Sequence, residues 1–147
     1  WLKQVGLPFA QESVADALAQ EAEAARRLVA LFHVRFGEGG DEAAAQAALA
    51  RALDAVADAE RDRILRRMAT LLDAMLRTNY FQGKDYLAFK LDSALAGEMP
   101  SPRPWREIFV HSPGMEGTHL RAGPVARGGI RWSDRREDFR TEILGLM

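Results

Sequence analysis

The sequence predicts an α+β fold in which amphipathic helices come first and short strands follow. Up to about residue 77, apolar residues recur at intervals of three and four, as they do along one face of an α-helix. From about residue 86, every second residue is a large apolar one (Leu87, Phe89, Leu91), as in a half-buried strand. Prolines at positions 100, 102 and 104 then mark an extended linker. We therefore expect a helical region over residues 1–79 and a second region over residues 80–147.

Composition narrows the classes of protein to which the chain can belong. Its 147 residues, 48% of them hydrophobic, are enough to bury one core. The formal net charge of −1 gives no overall attraction to nucleic acid or to an anionic membrane, and no run approaches the roughly 18 apolar residues of a membrane-spanning helix. The absence of cysteine excludes disulfides and thiolate metal sites and fits a reducing compartment. We expect a cytoplasmic protein with neither nucleic acid nor membrane as a partner.

The first predicted helix covers residues 13–36. Ser13 and Asp16 resemble a capping box at its start, and a glycine-rich stretch at residues 37–40 ends it. Its apolar stripe comprises Val14, Ala17, Leu18, Ala25, Leu28, Leu31 and Phe32.

A second and longer helical stretch is predicted from Asp41, which can serve as its N-cap, to about Arg77. Its stripe comprises Leu49, Leu53, Val56, Ile64, Met68, Leu71, Leu72 and Met75. We expect the two helices to form an antiparallel pair that buries these stripes against each other or against another part of the protein.

Short strands are predicted in the second region. Leu87, Phe89 and Leu91 alternate with their neighbours in the first of them. Further strands are expected at residues 107–111, 118–121 and 130–132, separated by turns at Pro113-Gly114 and Gly123-Pro124. A final helix is expected after a cap at Ser133 or Asp134, with acidic residues in its first turn (Glu137, Asp138) and a buried face of Phe139, Ile143 and Leu144.

The densest chemical signal lies between residues 123 and 138. Gly128 and Gly129 allow backbone to approach a ligand closely, and Arg127 and Arg131 can each grip a carboxylate or phosphate. The N-terminus of the helix that follows would add N–H donors, so these residues together predict an anion site. The alternative is a plain turn with solvated arginines that pair with neighbouring acids (Arg135, Arg136, Glu137, Asp138).

No complete active site is predicted elsewhere. His33, His111 and His119 are too scattered for a metal-binding motif, so no metal site is expected. Ser112 and Ser133 lie outside any nucleophile elbow, and the glycines at residues 37–40 lack the spacing of a dinucleotide-binding turn.

A resemblance to a known family rests on the same glycine-rich segment. Residues 123–147, with the run ARGGIRWSDRREDFRTE at residues 126–142, resemble the large-subunit bacterial NAD-specific glutamate dehydrogenases. Segments at residues 63–67, 76–82, 89–92 and 106–113 support the resemblance, whereas residues 11–59 are similar mainly in being helical.

The resemblance implies oxidative deamination of L-glutamate to 2-oxoglutarate and ammonium, with hydride transfer to NAD. It implies a helical region followed by the first strands and helix of an α/β dehydrogenase substrate domain. Both would belong to a long subunit of a homo-oligomeric enzyme. The chain opens on Trp1 and its last apolar pattern stops at Met147, which we interpret as an internal fragment. The catalytic lysine, its partner acid and the NAD-binding domain are then expected beyond Met147, so the chain would hold no catalytic residue and be inactive alone.

The resemblance also suggests roles for individual residues. Smaller glutamate dehydrogenases have a lysine before the paired glycines that holds a substrate carboxylate, and Arg127 occupies that position here. Arg127 is therefore a predicted carboxylate anchor, Gly128 and Gly129 are predicted close-approach backbone, and Arg131 is a predicted supporting or interface cation.

Two other functions remain as alternatives at this point. A non-enzymatic helical interaction module would explain the long apolar stripe without using the glycine-rich segment. A nucleic-acid binder built on residues 127–140 would instead show affinity that falls steeply with salt.

Overall fold

The architecture is a set of helices followed by an antiparallel sheet, which confirms the α+β prediction. The computed structural model describes residues 1–37, 39–133 and 138–147. Its helices are α1 (Gln11–Gln20), α2 (Ala22–Phe36), α3 (Glu42–Asp54), α4 (Ala59–Ala74) and α5 (Phe139–Leu144). Its strands are β1 (Met75–Thr78), β2 (Leu87–Asp92), β3 (Arg106–Ser112), β4 (Met115–Ala122) and β5 (Val125–Arg131), and 3-10 turns occur at Lys3–Val5 and Tyr80–Gln82.

Two compact units make up the chain. Residues Phe9–Leu72 form a helical unit, while Trp1–Pro8 and Asp73–Met147 form a sheet unit. Secondary structure changes from helix to strand at Met75, before the helical periodicity of the sequence ends at about residue 77. The domain boundary after residue 79 stays a prediction. None of the described helices is long and apolar enough to cross a lipid bilayer.

The helix predicted over residues 13–36 is two helices in the structure. Glu21, between α1 and α2, has φ −101° and ψ 55°, which interrupts the helical backbone. Ala17 before the break and Leu28 and Leu31 after it belong to the predicted stripe and are buried, so the helical period continues across the break and periodicity gave no sign of it. The capping box at Ser13 is also wrong, because α1 begins at Gln11 after Ala10, which makes no side-chain cap.

The second predicted helix is divided as well. Asp41 caps α3 as predicted, with its carboxylate accepting a hydrogen bond from Ala44 N at 2.9 Å. Helix α3 ends at Asp54, and Asp58 begins α4 by accepting from Arg61 N on its side chain (2.8 Å) and from Asp62 N on its carbonyl (2.9 Å). A second N-cap inside the stripe therefore replaces the single long helix.

The helical unit buries the predicted stripes in one apolar cluster. Leu28 and Leu31 of α2 pack with Leu49 and Leu53 of α3 and with Leu65 of α4, all of them at most 5% exposed. This packing confirms that Leu28, Leu31, Leu49 and Leu53 of the predicted stripes form a core, although three helices supply it instead of two and the buried α4 residue Leu65 lies outside the predicted stripe.

Among the described residues, the sheet unit contains five strands in the order β1-β2-β3-β4-β5, each antiparallel to the next. The strands predicted around Phe89, residues 107–111 and residues 118–121 are confirmed. The last strand starts five residues earlier than predicted, at Val125, because β5 pairs with β4 along its whole length. Gly128 and Gly129 therefore lie within a strand, opposite His119 and Thr118, and not in a bend.

One face of the sheet, here called the covered face, carries α5. Across the strands this face presents the rows Leu91, Glu107, Leu120, Arg127 and Phe89, Phe109, Thr118, Gly129. Leu120 packs with the α5 residues Phe139, Ile143 and Leu144, which confirms the predicted buried face of the last helix. The described helix begins at Phe139, and Asp138 makes no side-chain cap; the predictions for Asp134, Arg135, Arg136 and Glu137 lie outside the described residues.

Candidate functional site

The four predicted site residues all lie on the edge strand β5. Side chains alternate along a strand, so Arg127, Gly129 and Arg131 share the covered face while Gly128 lies on the opposite, open face. The structure thus brings the two arginines onto one face and separates the two glycines.

Arg127 stands at the surface, opposite Leu120 of β4. Within the described part of the chain, its guanidinium makes one hydrogen bond, from Nη1 to the neighbouring Ala126 carbonyl at 2.9 Å. An exposed guanidinium that makes only this local contact retains donors that can grip a carboxylate in a bidentate manner.

Arg131 has very different surroundings, with a side chain that is only 14% exposed. Its Nη1 donates to Asp138 Oδ1 at 2.6 Å and lies 3.5 Å from Glu142 Oε1, and its Nη2 lies 3.7 Å from Glu116 Oε2. The guanidinium also covers the ring of Phe139 at 5.0 Å from its centroid. These contacts attach β5 to α5 and β4, which suits a supporting cation better than a direct substrate contact.

The paired glycines let the protein pack closely around β5. A Cβ on Gly128 would lie 2.9 Å from the Thr118 carbonyl oxygen and 3.2 Å from His119 Cα. A Cβ on Gly129 would lie 3.3 Å from Phe139 Cζ and 3.4 Å from Ile143 Cδ1 of α5. The close approach predicted for these glycines is therefore made, in this structure, to strand β4 and to helix α5.

Sequence analysis missed a buried polar cluster beneath α5. Glu107 of β3 and Arg140 of α5 have fully buried side chains and form a bidentate ion pair, with Nε–Oε1 at 2.7 Å and Nη2–Oε2 at 2.8 Å. Trp1 Nε1 also donates to Glu107, and Gln4 Nε2 donates to Glu116. One signal was available: Glu107 falls in the inward register of β3, two residues before Phe109, and a carboxylate there needs a buried partner.

The open face has a shallow depression of about 330 Å³. It is lined mainly by Ile108, Val110, His119, Gly128 and Ile130. Among these lining residues only His119 can carry a charge, so the depression lacks the converging charges that an anionic substrate needs. Within the described ranges, no group of three or more His, Cys, Asp or Glu side chains is placed to hold a metal ion.

Comparisons with known proteins match the whole chain to one family. Residues 48–147 match the family model described as "Bacterial NAD-glutamate dehydrogenase, catalytic domain", and residues 1–38 match "Glutamate dehydrogenase, helical motif 3". The chain is 50% identical to the NAD-specific glutamate dehydrogenase of Mycobacterium tuberculosis, 48% to that of Halomonas elongata and 47% to that of Pseudomonas aeruginosa. Each alignment covers 100% of the chain and 10% of the relative, so the chain spans about a tenth of the length of these curated relatives.

Proposed function

Because the chain belongs to the bacterial NAD-glutamate dehydrogenase family, we propose that it is part of an enzyme that oxidises L-glutamate to 2-oxoglutarate and ammonium with NAD as hydride acceptor. The observation that carries the proposal is the match to the catalytic-domain model over residues 48–147, which include every strand of the sheet and α5. Identity of 47–50% to three NAD-specific glutamate dehydrogenases supports it.

Arg127 is the proposed substrate contact in this chain. It sits directly before the paired glycines, and its surface guanidinium has donors available for a carboxylate. A guanidinium holds a carboxylate through two parallel N–H···O bonds, whereas a lysine at this position would act as a point charge. Arg127 would therefore bind and orient one carboxylate of glutamate, while Arg131 would hold the strand that carries it.

The described residues do not fit a dinucleotide. In dinucleotide-binding folds, glycines form a turn between a strand and a helix, and the pyrophosphate binds at that helix N-terminus. Gly128 and Gly129 instead lie inside β5 and are paired with β4. We therefore propose, as the family resemblance implies, that NAD, the catalytic lysine and its partner acid belong to parts of the enzyme outside these 147 residues.

Residues that favoured the two alternative functions make contacts within the protein itself. The long apolar stripe that favoured a helical interaction module contributes to the core of the helical unit, where Leu49 and Leu53 are buried and Val56, Met68 and Leu72 pack against them. Two cations of the nucleic-acid alternative, Arg131 and Arg140, are engaged by carboxylates. Homo-oligomeric assembly and a cytoplasmic location stay predictions.

A direct assay of the full-length protein tests the proposal. Purified enzyme should produce NADH from L-glutamate and NAD, and the reverse reaction should consume 2-oxoglutarate, ammonium and NADH. L-Aspartate, a dicarboxylic amino acid shorter by one methylene, and NADP serve as controls and should give much lower rates. Absence of NADH formation with glutamate, or equal rates with aspartate, would contradict the proposal.

A further inference from the structure

The N-terminal segment, defined here as Trp1–Pro8, packs with the sheet unit. The family model that matches it covers residues 1–38 and is named for a helical motif, whereas the catalytic-domain match begins at residue 48. Gln4, Val5 and Leu7 are nevertheless buried, at 8%, 3% and 8% exposure. Residues outside the catalytic-domain match therefore complete the packing of the catalytic-domain sheet.

Gln4 connects a strand of this sheet to its helix. Its Nε2 donates to Glu116 Oε1 on β4, and its Oε1 accepts from the Arg140 backbone N–H on α5 at 2.9 Å. A primary amide offers donors at one end and an acceptor at the other, which a carboxylate or a hydrocarbon side chain cannot do. The contact thus depends on the chemistry of glutamine as well as on its size.

Glu116 extends the connection to strand β5. One of its carboxylate oxygens accepts from Gln4 while the other lies 3.7 Å from Arg131 Nη2. Arg131 is on the same face of β5 as Arg127 and also pairs with Asp138, next to α5. Loss of the Gln4 donor would leave one oxygen of a carboxylate that is 7% exposed without that partner, and Glu116 would reorient relative to Arg131.

Trp1 provides a second attachment on the same face. Its indole N–H donates to Glu107, the carboxylate that already holds Arg140 through two hydrogen bonds. The N-terminal segment therefore contacts the buried carboxylate next to Arg131 of β5 and the one that binds Arg140 of α5.

We propose that Gln4 is a positioning residue for glutamate binding, acting through Glu116 on Arg131 and through the Arg140 amide on α5. It sets the geometry of β5 without touching the substrate. This inference rests on the proposed function, because it takes Arg127 on β5 as the contact to a substrate carboxylate.

Substitutions in the full-length enzyme test this role. Gln4→Met keeps the volume and removes both hydrogen bonds, and Gln46→Ala, at an exposed glutamine of α3, is the control. We expect Gln4→Met to raise the KM for glutamate about 3- to 10-fold, because a reoriented Glu116 would shift Arg131 and with it the strand that carries Arg127, with kcat and the KM for NAD within about twofold of wild type. Deuterium exchange should also be faster at residues 139–144, whereas Gln46→Ala should match wild type.

A further variant separates positioning from stability. Gln4→Glu retains an acceptor for the Arg140 amide but sets a second carboxylate against Glu116, so it should raise the glutamate KM at least as much as Gln4→Met. An unchanged glutamate KM in both variants would overturn the inference, and so would a loss of kcat that only follows the amount of folded protein. If the wild-type enzyme formed no NADH from glutamate, that result would instead contradict the proposed function.

Discussion

Arg127 and Arg131 are two residues apart on one face of β5, yet they face different surroundings. Arg127 is at the surface and bonds only to a neighbouring carbonyl within the described part of the chain. Arg131 is held by Asp138, Glu142 and Glu116. A ligand can reach the first arginine without breaking an ion pair, whereas binding to the second would displace carboxylates that already neutralise it.

The first prediction concerns Arg127 in the full-length enzyme. Arg127→Ala should raise the KM for glutamate by roughly 10- to 100-fold with a smaller effect on kcat, because a charge-assisted hydrogen bond contributes about 1.5–3 kcal/mol to binding. Steady-state kinetics with varied glutamate would measure the change. Arg127→Lys should retain part of the affinity, and Arg77→Ala, at an exposed arginine on β1, should be neutral. Unchanged kinetics in Arg127→Ala would remove this residue from the site.

Gly128 allows a second prediction at the scale of one residue. In Gly128→Ala the new Cβ would lie 2.9 Å from a backbone oxygen of β4, which cannot move without distorting the strand pair. We expect a loss of about 1–3 kcal/mol in the free energy of unfolding, measured by denaturant titration.

Two other glycines provide the controls for this measurement. Gly129→Ala should cost less than Gly128→Ala, because its Cβ would meet only the side-chain ends of Phe139 and Ile143. Gly114→Ala, with no atom within 4 Å of its Cβ, should change stability by about 0.5 kcal/mol or less. Equal stability of Gly128→Ala and Gly114→Ala would contradict the packing role given to Gly128.

At the scale of elements, local capping divides the helices more finely than hydrophobic periodicity does. Asp58 begins α4 within a continuous apolar stripe, because its side chain accepts a hydrogen bond from Arg61 N and its carbonyl accepts one from Asp62 N. In the sequence Asp58 is one of several charged residues off the apolar stripe, and nothing local distinguishes it from Asp54 or Asp62. A cap residue inside an unbroken apolar stripe is therefore recognised from the backbone geometry and not from the sequence pattern.

Helix α5 is attached to β3 by the buried Glu107–Arg140 ion pair. Both side chains are fully buried, and both oxygens of Glu107 accept from the guanidinium. Burying two charges costs solvation free energy, which a bidentate geometry offsets only while both partners are present.

The third prediction follows from this balance. Glu107→Gln should lower the free energy of unfolding by roughly 3–5 kcal/mol, because it leaves the Arg140 charge buried without a counterion. The double replacement Glu107→Leu with Arg140→Met should cost less than the sum of the two single replacements, which a double-mutant cycle would measure.

An exposed pair supplies the matched control for Glu107. Hydrogen bonds from Arg26 and Arg27 hold the pKa of Glu23 below its ordinary value, but Glu23 lies at the surface of α2. Glu23→Gln should therefore leave stability within experimental error at neutral pH, since water screens the pair. If the two Glu→Gln variants were equally stable, the ion pair beneath α5 would not hold the helix.

The whole molecule supplies a prediction about activity. The chain spans about a tenth of its curated relatives, and its described residues contain no dinucleotide-binding turn. We expect the purified 147-residue chain to give no NADH from L-glutamate and NAD under conditions in which the full-length enzyme is active. NADH formation by the isolated chain would show that residues within it carry the chemistry.

The sequence by itself determined the order of helices and strands, the family, and the inward positions of Phe89 and Leu91, although Leu87, predicted with them, is exposed. Helix and strand periodicities are local, so each element records which of its faces is buried. The run at residues 126–142 is distinctive enough to indicate the family without any contact being known.

Only the tertiary structure decided what the glycine-rich segment is and what surrounds it. Pairing with β4 makes residues 125–131 a strand, and Gly129 leaves room for Phe139 and Ile143 of α5. Glu116 lies between Arg131 and Gln4 and contacts both. Gln4 and Glu116 are 112 positions apart. Local periodicity cannot encode such a contact, because it forms only when distant elements share one buried face.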